Sequence, residues 1–116
     1  LTKKYSLPQL SYTVKEAVTF INLNLSSNLT VKKVSSKIGL SSDYLTRLFK
    51  KEMGMNIITY INKKRIETSL ELLKVTDLSI AEIGDLIGLN NTSYFYTLFK
   101  KETGTSPKQY RNSIIS

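Results

Sequence analysis

Twelve residues of this chain recur in altered form 49 positions further on. Leu29-Thr30-Val31-Lys32-Lys33-Val34-Ser35-Ser36-Lys37-Ile38-Gly39-Leu40 reappears as Leu78-Ser79-Ile80-Ala81-Glu82-Ile83-Gly84-Asp85-Leu86-Ile87-Gly88-Leu89. Tyr44, Leu48-Phe49-Lys50-Lys51-Glu52, Gly54 and Tyr60 then return as Tyr94, Leu98-Phe99-Lys100-Lys101-Glu102, Gly104 and Tyr110, now at a spacing of 50, so one residue has been inserted in the turn between the two parts. A duplicated pattern means that one supersecondary unit is built twice, which removes most folds from consideration.

The unit is helical. Pro occurs only at Pro8 and Pro107, the Gly residues end periodic segments, and no Val/Thr-rich alternating run is bounded by hairpin dipeptides. About seven helices are expected. The first opens at Thr13-Val14-Lys15-Glu16, a capping-box pattern, and continues with Val14, Val18, Ile21 and Leu25 on one stripe. The second follows Thr30 and stops near Gly39, the third runs from about Ser42 to Gly54, and the fourth from about Ile57 to Lys74. Ser79 and Glu82 open a fifth that ends near Gly88, and the sixth runs from about Thr92 to Gly104. Ser106-Pro107 starts the last, with Pro at the first helical position, where its missing N–H is not needed.

Within each repeat the pattern fits a helix-turn-helix. Two helices crossing through a short turn need a small side chain at their closest approach and a Gly where the backbone turns left-handed. Ser35 and Gly84 take the first position, Gly39 and Gly88 the second. Val31, Val34 and Ile38, like Ile80, Ile83 and Ile87, supply the inner face of the supporting helix; Leu45, Leu48 and Phe49, like Phe95, Leu98 and Phe99, turn one stripe of the next helix inward. The expected fold class is therefore all-α, two helix-turn-helix subdomains (13–55 and 76–116) joined by a long connector helix (56–75), with residues 1–12 as a linker remnant.

That arrangement leaves one face of each second helix to solvent. In the first unit it bears Ser42, Asp43, Thr46, Arg47 and Lys50; in the second Asn91, Thr92, Ser93, Tyr96, Thr97 and Lys100. Short hydrogen-bonding side chains followed by cations are the types that read base edges and grip phosphate. Arg47 is the strongest candidate for a base contact, since guanidinium pairs bidentately with guanine. Lys50-Lys51 and Lys100-Lys101 also suit a solvated helix C-terminus, Tyr44 and Tyr94 read as packing at the domain edge, and Tyr60, Tyr110, Phe49 and Phe99 fall on the core stripe. A connector of 18 residues spans roughly 27 Å, comparable with the ~34 Å between major-groove faces one turn apart, so a bipartite duplex site on the order of 20 base pairs, with some bending, is expected.

Charge agrees with that partner: 17 Lys and Arg against nine Asp and Glu leave +8 and a pI near 9.7, which draws polyanions, nucleic acid or an anionic membrane surface. With no Cys and no His, thiolate and imidazole metal sites, disulfides and the usual catalytic bases are excluded; no metal, no cofactor and no catalytic residue is expected. An enzyme would have to use Glu, Asp, Lys and Tyr, of which no close-set pair stands out. A basic RNA-binding or protein-interaction module is the remaining alternative. No apolar run approaches the roughly 18 residues of a membrane span, no signal-peptide pattern is present, and a reducing cytoplasm is the expected setting. A first residue of Leu suits a piece cut from a longer protein.

From about Val14 to Arg111 the chain resembles the C-terminal DNA-binding domain of AraC/XylS-family bacterial transcription regulators. The most specific part is Phe99-Lys100-Lys101-Glu102-Thr103-Gly104-Thr105-Ser106-Pro107-Lys108-Gln109-Tyr110-Arg111, preceded by Ser93-Tyr94-Phe95; Tyr60, Arg65 and Leu72-Leu73 also fall in register. The resemblance implies seven helices, two recognition helices in successive major grooves, double-stranded DNA and RNA polymerase as partners, a separate sensing or dimerising domain N-terminal to this fragment, and a role in activating or repressing transcription. Leu89 stands where the family usually has Phe, Ser69 where it usually has Ala, and Thr97 where the second recognition helix often has Arg; the last substitution implies that the second unit reads bases less strongly than the first.

Overall fold

Each helix begins where a short polar side chain meets the first unpaired amides, and that local chemistry sets the element boundaries. In the computed structural model, which describes residues 9–115, the helices are α1 (Tyr12–Leu23), α2 (Val31–Ile38), α3 (Ser42–Met53), α4 (Ile57–Val75), α5 (Ile80–Leu86), α6 (Thr92–Thr103) and α7 (Pro107–Ile115). No strand occurs among the described residues. Thr30, Ser41, Asn56 and Asn91 accept from the amides of Lys33, Tyr44, Thr59 and Tyr94. Ser79 and Glu82 form the full reciprocal box, at 3.0 and 2.8 Å, and Ser106 and Gln109 do the same at the start of α7.

The first helix departs from expectation. Its cap is Ser11 rather than Thr13: Ser11 Oγ accepts from Val14 N at 3.2 Å, and the Ser11 amide donates to Glu52 Oε1 at 2.7 Å. The carboxylate that completes this cap comes from α3, 41 residues away, so a local Thr-x-x-Glu pattern loses to a tertiary one. The expected linker remnant over residues 1–12 lies outside the described residues as far as residue 8, and its end, Ser11 and Tyr12, belongs to α1.

Two cores form side by side. In the first, Val14, Ala17 and Ile21 of α1 pack with Val34 of α2, Leu45 and Phe49 of α3, and Ile57, Tyr60 and Ile61 of α4. In the second, Ile66 and Leu73 of α4 pack with Ile83 and Ile87, Leu89, and Phe95, Leu98 and Phe99 of α6. The helix α4 thus gives its first half to one core and its second half to the other. Corresponding aromatic pairs brace the two: Phe49 meets Tyr60 edge-on at 5.6 Å, and Phe99 meets Tyr110 edge-on at 6.1 Å. Ser69 is fully buried with its hydroxyl donating to Ile66 O at 2.7 Å, and Leu89 is buried as well.

Arg65 joins the cores. It is 8% exposed and donates from Nη2 to Ser27 O at 2.8 Å. On its other side lies the second turn: a Cβ on Gly88 would sit 2.9 Å from the same Nη2 and would overlap Leu25 O. Burial pulls the Arg65 pKa below its ordinary value, with Tyr94 acting in the opposite sense. The α1–α2 loop, the middle of α4 and the second helix-turn-helix therefore meet at one point.

Candidate nucleic-acid interface

The two turns close alike. Leu40 N donates to Ser35 O at 3.0 Å and Leu89 N to Gly84 O at 2.7 Å, the six-to-one bond of a Schellman end, with Gly39 and Gly88 at φ of 84° and 81°. The close-approach positions are filled differently. A Cβ on Gly84 would come within 2.6 Å of Leu89 O. Ser35, in its place in the first unit, is 2% exposed and shares a 2.9 Å hydrogen bond with Ser42 Oγ.

That contact corrects one expectation. Ser42 is half-buried, and its hydroxyl points back to α2 instead of outward. The buried Ser35 hydroxyl at the crossing draws it in. Asp43, Thr46, Arg47 and Lys50 stand exposed on α3. On α6, Thr92, Ser93, Thr97 and Lys100 are exposed and Tyr96 half-buried. Asn91 is exposed but spends its Oδ1 on the cap of α6, and Thr97 Oγ1 donates to Ser93 O at 3.0 Å.

Superimposed through the repeat, the two outward faces correspond position by position: Asp43 with Ser93, Thr46 with Tyr96, Arg47 with Thr97, Lys50 with Lys100. Two further pairs belong to the same faces. Tyr44 and Tyr94, expected at a packing edge, are 48% and 49% exposed, and Lys51 and Lys101 are exposed beside them. Tyr44, Arg47, Leu48 and Lys51 line one shallow hollow. The signal for these tyrosines was their offset by one from Leu45 and Phe95, which turns them off the inward stripe. Lys32, Lys33, Ser36 and Lys37 are exposed on α2 and were not singled out by the sequence. Among the described residues no cluster of acidic, Cys or His side chains could hold a metal ion, and no helix is long and apolar enough to cross a membrane.

A family model described as a helix-turn-helix domain matches residues 34–113. The C-terminal domain of AraT, a response regulator from Geobacillus stearothermophilus, is 39% identical with a TM-score of 0.88, over 90% of this chain and 88% of that one. The chain belongs to the AraC/XylS family. Regulatory protein PocR of Salmonella typhimurium is 36% identical to this AraC/XylS domain over 87% of the chain, which corresponds to 33% of PocR. The domain likewise spans 36% of the arabinose operon regulatory protein of Escherichia coli, at 32% identity. It thus covers about a third of the length of these relatives.

Proposed function

We propose that this AraC/XylS domain is the sequence-specific duplex-DNA-reading part of a bacterial transcription regulator, with α3 in one major groove and α6 in the next. The observation that carries this reading is the duplicated outward face: each second helix buries its apolar stripe and leaves short polar, aromatic and cationic side chains to solvent at matching positions. The side chains proposed to meet DNA are Asp43, Thr46, Arg47 and Lys50 with Thr92, Ser93, Tyr96, Thr97 and Lys100, joined by Tyr44 and Tyr94. Ser42 and Asn91 hold the two starts in shape. At 43 × 40 × 21 Å, the molecule is long enough to cover the ~34 Å between adjacent major-groove faces.

RNA polymerase as a protein partner, a sensing or dimerising domain beyond these residues, transcriptional activation and a cytoplasmic setting belong to the same proposal, supported by relatives that are regulators in which the matched part is 33% and 36% of the length. No catalysis is proposed for these residues. The test is selection of bound sites from a random duplex pool followed by footprinting in excess random DNA. Protection of two half-sites one helical turn apart is the expected result. Preference for RNA, or binding that random duplex abolishes, overturns the reading in favour of a merely basic module.

A further inference from the structure

The two units share a backbone plan but differ in charge. Where α2 presents Lys32, Lys33, Ser36 and Lys37 to solvent, α5 presents Ala81, Glu82, Asp85 and Leu86 at the corresponding positions. From α2 through α3 there are six cations against two carboxylates; from α5 through α6 there are two cations against three carboxylates. The α2 cations are gathered, since Lys32, Lys33 and Lys37 line one open hollow with Thr30, Ser36 and Phe20. Lys33 donates to Asn28 O at 2.6 Å, and an ammonium keeps two more donors.

In a helix-turn-helix the first helix of the pair crosses the sugar-phosphate backbone while the second enters the groove. The same placement sets three ammonium groups beside phosphate in one unit and two carboxylates beside phosphate in the other. From this we infer that Lys32, Lys33 and Lys37 form a phosphodiester-binding strip with no counterpart in the second unit. The first unit then supplies most of the electrostatic grip, and the second is held on the duplex largely through its connection by Arg65 and α4. This rests on the duplex-reading function proposed above.

Salt titration reads the strip directly, because each phosphate contact adds about 0.9 to the slope of log affinity against log salt. In the 116-residue chain, Lys32→Ala, Lys33→Ala and Lys37→Ala together should flatten that slope by roughly 2 to 3, with equal losses on selected and random duplex. Alanine favours the helix, and circular dichroism checks that α2 is intact. The converse pair, Ala81→Lys with Leu86→Lys, should steepen the slope by roughly 1 to 2. Specific binding that survives with an unchanged slope in the triple variant overturns the strip but leaves duplex reading standing. A parent chain that selects no duplex overturns the functional reading itself.

Discussion

At the scale of single residues, the two turn glycines make a controlled comparison. Both have positive φ, so an added Cβ strains the backbone at either, by about 1–2 kcal/mol. A Cβ on Gly39 would meet nothing within 4 Å, whereas on Gly88 it would press into Arg65 and the Leu25 carbonyl. Gly39→Ala should therefore lose only the backbone term, and Gly88→Ala about 1–3 kcal/mol more through overpacking, read from urea midpoints. Equal losses would mean that the junction yields freely. Arg47 and Thr97 make a second comparison, on DNA. Arg47 is exposed, while the Thr97 hydroxyl already donates to Ser93 O. Arg47→Ala should weaken specific binding by about 1–3 kcal/mol and Thr97→Ala far less, in a titration on the selected site.

At the scale of helices, what could be foreseen depended on whether the determinants were local. The starts of α2 through α7 follow from caps within four residues, and the ends of α2, α3, α5 and α6 from the glycines at 39, 54, 88 and 104; there the sequence sufficed. The start of α1 did not, because its stabilising carboxylate, Glu52, is on another helix. The inward turn of the Ser42 hydroxyl is hidden from a local reading for the same reason: its partner Ser35 is seven residues back across a turn, and only packing decides between that bond and solvent. Tyr44 and Tyr94 were legible in position but not in exposure. The α5 cap gives a pH signature of known sign. Glu82 accepts from the Ser79 backbone amide and lies below the usual Glu pKa for that reason. Its contribution is complete above the unfolded-state pKa and is lost as pH falls through the lowered folded value. Melting curves of Glu82→Gln should accordingly change less than those of the parent through that acid range; parallel curves would mean that the bond does not persist in solution.

At the scale of the whole molecule, Arg65 binds the halves together, a role that no local pattern around it announces. Arg65→Met keeps the length of the side chain but strands Ser27 O, at about 1–3 kcal/mol. It should also uncouple the units, so that hydrogen exchange in α5 and α6 accelerates while α2 and α3 remain protected; uniform acceleration would show that the cores unfold as one regardless. The sharing of α4 between two cores has a further consequence for register on DNA. One residue inserted into that helix would swing everything beyond it by about 100° and advance it by about 1.5 Å, whereas one extra base pair turns a duplex by roughly 34–36°. Three added base pairs would match that angle but lengthen the spacer by roughly 10 Å. No change of spacer length reproduces both parts of the step, so protein and target are phased against each other.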